Sequence, residues 1–282
     1  MPGVAAEVGL TSDPIDLEID LLLEAIFRRY QHDFRSYARV SVRRRLQRAL
    51  VMLGCPNLSA LQERVLHEEG AFGEVLSLLT VRVSDLFRDP GFYAALRQMV
   101  VPVLATYPSL KVWVAGCASG EEVYSLAILL SEEGLFERTI FYATDIDPSA
   151  LRSAEAGIFD GARAAAFSRS YQAAGGKGSL SEYYMAAYGG IKFDRRLRKN
   201  MVFSDHSLAT DQVFAEVHLV TCRNVLMYFD RPLQDRAVGL FADSLVRRGF
   251  LAVGPHESLL FSAHRDHFDM VERRFRIYQR LG

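Results

Sequence analysis

The chain has 282 residues, half of them hydrophobic, with 33 basic and 34 acidic side chains and a formal net charge of −1. This size and composition predict a globular protein with a substantial core, in one large domain or two smaller ones. The balanced charge excludes a global attraction to nucleic acid or to an acidic membrane, and no apolar run approaches the roughly 18 residues of a membrane span.

The cysteines indicate the compartment. Cys55, Cys117 and Cys222 are an odd number without the spacing of a disulfide framework, and no segment resembles a signal peptide. We therefore expect a cytoplasmic protein whose thiols are reduced.

The amino-terminal part of the chain has the spacing of amphipathic helices. A helix-start signal at Asp13-Pro14 precedes apolar residues that recur every three or four positions up to Tyr30. Two further helical patterns cover residues 58–69 and 72–79. Residues 1–84 are therefore predicted to form a small all-helical domain.

Between these helices lies a basic stretch, residues 28–48, with eight arginines and one acid, Asp33. If residues 41–53 are helical, Arg44 and Arg48 project from the side opposite to the apolar face. A solvated surface is the usual interpretation of such a charge run. Arginine clustering without interleaved acids is less usual, because i,i+4 acidic partners would normally moderate the repulsion. A nucleic-acid-binding helix is disfavoured because the rest of the domain has no other basic cluster.

The central stretch 111–130 has the pattern of a strand, a glycine turn and a helix. An apolar run at 112–115 precedes Gly116 and Gly120, and a helical pattern follows. Such a turn lets a ligand approach the backbone closely, next to the free N–H groups of the helix.

The turn's sequence, AGCASGEE, is not GxGxxG, and the acids Glu121 and Glu122 would repel a pyrophosphate. This pattern favours an adenosyl group without phosphate and disfavours an NAD-dependent oxidoreductase. Ser119 and Glu122 are compatible with a capping box, with direct ligand contact, or with both.

Acidic and amide side chains follow the next predicted strands. The strand at 139–144 ends at Asp145, where doubly wound folds place a ribose-binding carboxylate, and Asp147 before a proline is typical of a helix N-cap. Arg223 and Asn224 leave the carboxyl end of a strand at 218–222, the edge where open α/β sheets bind ligands.

The remaining elements are a helix at 232–247, capped by Asp230, and late strands at 249–254 and 275–278. His264 and His267 lack nearby ligands, so no metal site is predicted.

Three segments resemble, in this order, the CheR-type chemotaxis receptor methyltransferases, which methylate glutamates with S-adenosylmethionine: WVAGCASGEEVYSLAILL, YATDIDPSAL and TCRNVLMYFD. The resemblance begins at about Leu17 and covers nearly the whole chain. It implies an α/β fold with a Rossmann-like class I methyltransferase sheet over residues 85–282. An inserted small antiparallel β-subdomain is expected at about 167–201, and a small all-α domain precedes the sheet.

The resemblance also implies site residues. The cofactor S-adenosylmethionine, or its product S-adenosylhomocysteine, would be held by Arg82, Ser84, Arg88, Gly116, Glu122, Asp145, Ser207, Leu208, Arg223 and Asn224. Tyr228 and Arg223 would orient the incoming carboxylate, although Tyr228 could instead only pack against the sheet. Arg44, Arg45 and Arg48 would dock on acidic receptor helices.

Some of these positions depart from the family or have a second interpretation. Arg82 and Ser207 stand where the family has asparagine, and Ser84 stands where it has threonine. Arg88 would clamp the cofactor carboxylate, or else form a surface salt bridge with Asp85 or Asp89.

The function that the resemblance implies is methyl transfer from S-adenosylmethionine to glutamate carboxylates on the cytoplasmic helices of chemoreceptors. The protein would act as a monomer that meets the membrane only through the receptor. A non-catalytic module that binds the cofactor or its product and docks on a partner is the alternative. In a third interpretation, a small-molecule methyltransferase, the arginine helix would be dispensable.

Overall fold

The computed structural model describes residues 13–81 and 84–282, which form two compact units. The first unit contains residues 13–35 and 39–79, and the second contains residues 36–38 and the described chain from Thr80 onward. Arg82 lies outside the described residues, so its predicted cofactor contact stays a prediction.

The first unit is all-helical, and its helices are α1 (Pro14–Tyr30), α2 (Arg39–Leu53), α3 (Leu58–His67) and α4 (Ala71–Leu79). The predicted start of α1 is confirmed, because the Asp13 side chain accepts a hydrogen bond from the Ile15 amide. The apolar faces of the helices bury residues such as Leu22, Leu46 and Leu61, which are fully inaccessible. Within the two described ranges, no helix has the length and apolar character needed to cross a membrane.

The second unit is built on a seven-stranded sheet with the order β6-β2-β1-β7-β8-β10-β9. Its strands are β1 (Leu110–Ala115), β2 (Thr139–Asp145), β6 (Met201–Asp205), β7 (Val217–Cys222), β8 (Leu245–Val253), β9 (Phe268–Glu272) and β10 (Ile277–Arg280). The first five strands in this order, β6, β2, β1, β7 and β8, run parallel to one another. Strand β10 is antiparallel to both of its neighbours, β8 and β9. The carboxyl ends of β6, β2, β1 and β7 therefore meet at one edge.

Helices cover both faces of this sheet: α5 (Pro90–Ala95), α6 (Val101–Leu104), α7 (Glu121–Glu132), α8 (Pro148–Ala156) and α11 (Arg231–Ser244). A π-helical turn, Leu96–Val100, joins α5 to α6. Val112 and Val114 of β1 pack in the core beside α7, whereas Trp113 packs in the core beside α11. This alternation is the two-residue period of a strand buried on both faces.

A small antiparallel sheet interrupts the parallel one, with the order β3-β5-β4. Its strands are β3 (Ile158–Asp160), β4 (Tyr184–Ala187) and β5 (Gly190–Phe193), with α9 (Ala164–Ala173) after β3 and α10 (Arg195–Arg198) after β5. The predicted α/β fold is confirmed: an all-α segment comes first in the chain, and an antiparallel sheet is inserted into the parallel one. The predicted start of the insert at residue 167 is too late, because β3 pairs with β5 and belongs to the insert.

The last helix ends earlier than its pattern predicts. Helix α11 stops at Ser244, and β8 starts at once with Leu245, which pairs with Val217 of β7. The segment 245–247 is therefore strand rather than helix, because pairing with β7 overrides its helical spacing. Strand β9 was not predicted.

Candidate active site

The glycine turn after β1 is held against the end of β2. The amides of Gly116 and Cys117 both donate to the Thr144 carbonyl, at 2.8 and 2.9 Å. Gly116 has a φ of 71°, and a Cβ there would lie 2.5 Å from a methyl group of Val225. Only glycine fits this position without displacing the loop that follows β7.

Asp145 connects this turn to the end of its own strand. Its carboxylate accepts from the Ala118 amide at 2.9 Å and from the Asp147 amide at 3.0 Å. Burial raises the pKa of the Asp145 carboxyl above its ordinary value, against the effect of these amides. The Asp147 side chain accepts from the Ser149 and Ala150 amides, which confirms the predicted N-cap of α8.

The start of α7 differs from the predicted capping box. Gly120 is the N-cap residue, with a φ of 95°, and a Cβ there would lie 2.8 Å from the Cβ of Ala154. Ser119 instead donates its hydroxyl to Glu121 at 2.6 Å. The capping box is wrong because the left-handed glycine shifts the helix start by one residue, so Glu122 is not a cap.

Glu122 is instead an ion-pair partner of Arg223. Arg223 Nη1 lies 3.1 Å from Glu122, and Nη2 lies 2.7 Å from Asp89. Both nitrogens also donate to the carbonyl oxygen of Arg88 at 3.3 Å, and the guanidinium lies over the Phe92 ring at 4.1 Å.

The Arg223 side chain is only 2% exposed, and its terminal nitrogens already have acceptors within the protein. The prediction that Arg223 orients an incoming carboxylate therefore needs correction. The carboxylates of Asp89 and Glu122 neutralise the guanidinium, so Arg223 fixes the α7 start and the 88–89 loop next to the end of β7.

Glu257, for which the sequence predicts no role in the site, holds the loop after β7. Its carboxylate accepts from the amides of Asn224 at 3.0 Å, Met227 at 3.1 Å and Gly254 at 2.5 Å. Burial raises the pKa of the Glu257 carboxyl. Asn224 has a left-handed φ of 61°, which asparagine tolerates better than most residues. The Glu257 contacts fix this conformation.

Tyr228 ends a short 3₁₀-helix, Leu226–Tyr228, in the same loop, and its side chain is half-buried. Ala38 donates its amide to the Tyr228 carbonyl at 2.8 Å, and Asp230 caps α11 through the Leu233 amide, as predicted. The backbone of Tyr228 is therefore fixed on both sides.

The other predicted cofactor residues lie around the same edge. Ser84 is half-buried, and the Arg88 side chain is exposed and not paired with Asp85 or Asp89, whose partners are Arg163 and Arg223. The salt-bridge interpretation of Arg88 is therefore wrong.

Ser207 and Leu208 follow β6. The Ser207 hydroxyl accepts from the Ala209 amide at 3.3 Å, and its own amide donates to Asp211 at 2.9 Å. The Leu208 side chain is buried in the core beside α11. The backbone of Leu208, and not its side chain, is therefore the part that a ligand can contact.

The edge formed by Gly116, Glu122, Asp145 and Asn224 suits a cationic adenosyl cofactor. Two acids and a glycine turn offer acceptors to ribose hydroxyls and to positive groups, and Arg223 is not available to bind phosphate. In the described ranges, no group of three or more His, Cys, Asp or Glu side chains is arranged to hold a metal ion.

The three arginines of α2 that are predicted to dock on a receptor divide into two kinds. Arg44 and Arg48 are exposed, as their spacing predicts. Arg45 is half-buried and donates through Nη1 to the Leu79 carbonyl at the end of α4. The docking role predicted for Arg45 therefore needs correction, because this guanidinium joins two helices of its own unit.

Two family models match the chain: the CheR methyltransferase all-alpha domain over residues 17–80 and the CheR methyltransferase SAM binding domain over residues 82–277. A Pseudomonas putida protein provisionally named methyltransferase Cher3 is 53% identical over 265 residues, which cover 94% of this chain and 97% of that protein. A chemotaxis protein methyltransferase of Listeria monocytogenes is 29% identical over 87% of this chain and 92% of its own length. Chemotaxis protein methyltransferase 1 of Pseudomonas aeruginosa is 29% identical over 81% of this chain and 84% of its own length. The chain therefore belongs to the CheR methyltransferase family, and its cofactor is S-adenosylmethionine.

Proposed function

We propose that the protein transfers the methyl group of S-adenosylmethionine to glutamate side chains of chemoreceptors, forming methyl esters in chemotaxis adaptation. The observation that carries the proposal is the meeting of Glu122, Asp145 and Asn224 at one sheet edge, next to an arginine that protein acids neutralise. Relatives named chemotaxis protein methyltransferases support chemoreceptors as the acceptors.

The chemistry needs orientation more than proton transfer. A glutamate carboxylate has an ordinary pKa of about 4.3, so near neutral pH it is already the nucleophile and needs no general base. The cofactor would supply a methyl group bonded to a cationic sulfur. A carboxylate oxygen forms a bond to the methyl carbon while the carbon–sulfur bond breaks, and the sulfur becomes a neutral thioether. In this proposal Asp145 and Glu122 hold the cofactor, Asn224 holds its amino acid part, and Tyr228 orients the acceptor carboxylate.

The raised pKa of Asp145 predicts a pH dependence of cofactor binding. If the ionised carboxylate accepts from the ribose hydroxyls, the affinity for S-adenosylhomocysteine falls as the pH falls through the raised pKa, starting above the ordinary value of 3.8. Calorimetric titrations at a series of pH values measure this loss. Asp145→Asn should bind more weakly and without this pH dependence, and an identical pH profile in both proteins would contradict the assignment.

Reversing the exposed charges of α2 tests receptor docking. We expect Arg44→Glu with Arg48→Glu to raise the KM for a receptor fragment at least about tenfold, because like charges would face an acidic partner. The affinity for S-adenosylhomocysteine should stay unchanged. The control is Arg152→Glu with Arg273→Glu, which reverses the same charge at exposed arginines of the other unit. An equal effect of both double variants would contradict docking through α2.

A non-catalytic binding module is the second candidate, favoured by the engagement of Ser207 with Ala209 where the family has a bifunctional amide. Incubation with methyl-labelled S-adenosylmethionine and a receptor cytoplasmic fragment separates the two functions. The proposed enzyme gives label on the fragment that base releases as methanol. Cofactor binding without a base-labile label would support the module instead.

A further inference from the structure

Arg163 extends from the inserted subdomain to the wall of the proposed cofactor site. It lies in a short 3₁₀ turn, Gly161–Arg163, between β3 and α9. Its Nη2 lies 2.5 Å from both the Ser84 carbonyl oxygen and the Asp85 carboxylate. Its Nη1 lies 3.3 Å from Glu121 at the start of α7. The Arg163 guanidinium thus joins the insert to two separate segments of the same unit, residues 84–85 and the start of α7.

Both segments border the proposed cofactor site. Ser84 is a predicted cofactor residue, and the same Glu121 carboxylate accepts from Ser119 in the glycine turn. A continuous path therefore runs from the insert through Arg163 and Glu121 to the turn that carries Gly116. None of the proposed cofactor contacts uses Arg163 itself.

The Arg163 guanidinium compensates a buried negative charge. The Glu121 residue is only 1% exposed, and Arg163 is its cationic partner. Removing the cation from such a pair is destabilising, because it leaves a buried carboxylate without compensation. The Arg163 guanidinium carbon lies 4.7 Å from the centroid of the Phe167 ring, and this ring is buried in the same core as β1 and α7, so a cation–π contact helps to fix Arg163.

We propose that Arg163 is a positioning residue that holds the 84–85 segment and the glycine turn in the geometry that binds the cofactor. The conformation of the inserted subdomain and the affinity for the cofactor are then coupled. A ligand or partner that moves the turn at Gly161–Arg163 changes the affinity for S-adenosylmethionine without touching its site.

The test is Arg163→Met, compared with Arg169→Met, which removes an exposed arginine from α9 without breaking an ion pair of the described chain. We expect Arg163→Met to weaken the binding of S-adenosylhomocysteine about tenfold, the size of effect expected from losing charge-assisted hydrogen bonds. Arg163→Lys should recover part of the affinity, because lysine keeps the charge but not the forked geometry. Arg169→Met should bind like the wild type. Calorimetry gives the affinities, and thermal unfolding is measured in parallel.

An unchanged affinity in a folded Arg163→Met protein would overturn the proposal, as would a lowered melting temperature without weaker binding. If Arg163→Met does not fold, Asp85→Asn decides, because it removes one exposed acceptor of Arg163 and leaves Glu121 paired. Weaker binding is expected there, and wild-type affinity would overturn the proposal. The readout is ligand binding, so a failure of glutamate methylation would leave this result unaffected.

Discussion

Arg223→Met is expected to lower the free energy of unfolding by about 3–5 kcal/mol, the usual cost of removing one partner from a buried ion pair. The side chain is 2% exposed and pairs with both Asp89 and Glu122. Methionine fills much of the volume but leaves Glu122 without its cation. The affinity for S-adenosylhomocysteine should also fall, because Arg223 no longer holds Glu122 and the 88–89 loop together. Denaturant unfolding and calorimetry measure the two effects.

The matched control is Arg196→Met, which breaks the exposed ion pair with Asp194. Surface pairs contribute little because water screens them, so this variant should unfold like the wild type. If Arg223→Met were as stable as Arg196→Met and bound the product normally, the positioning role assigned to Arg223 would be wrong.

Tyr228→Phe is expected to lower kcat about a hundredfold while the affinity for S-adenosylhomocysteine changes less than about twofold, the pattern of a contact made mainly in the transition state. The proposal assigns the Tyr228 hydroxyl to the acceptor carboxylate and not to the cofactor. Its backbone is held by Ala38 and by the loop that Glu257 fixes, so loss of one oxygen should leave the loop intact. Turnover with a receptor fragment and calorimetry measure the two quantities.

Tyr107→Phe is the control for this variant. Tyr107 is also half-buried, but it packs on His218 at the amino end of β7, whereas Tyr228 follows the carboxyl end. It should leave turnover unchanged. Equal losses of turnover and of product affinity in Tyr228→Phe would mean that Tyr228 binds the cofactor instead.

Features with local causes could be predicted from the sequence. The strand, glycine turn and helix around Gly116 follow from a few adjacent residues, and the Asp147 N-cap follows from its proline. The position of Asp145 follows from the end of its strand. The capping box was wrong because Ser119-x-x-Glu122 and a left-handed Gly120 predict different helix starts, and the helix begins after Gly120, where a side chain would collide with Ala154.

The partners of the buried charges could not be predicted, because they are distant along the chain. Arg223 meets Asp89 across 134 positions, and Arg163 meets Glu121 across 42. A sequence shows that such groups exist but not which acceptor each one finds. Glu257 was missed for the same reason, since its backbone partners Asn224 and Met227 offer no side-chain signal.

A crystal structure with S-adenosylhomocysteine tests the central claim most directly. We expect the ribose hydroxyls at hydrogen-bonding distance from Asp145, about 3 Å, with the sulfur facing the Tyr228 hydroxyl at the carboxyl edge of the parallel sheet. A product molecule bound away from that edge, or with its sulfur turned from Tyr228, would contradict it.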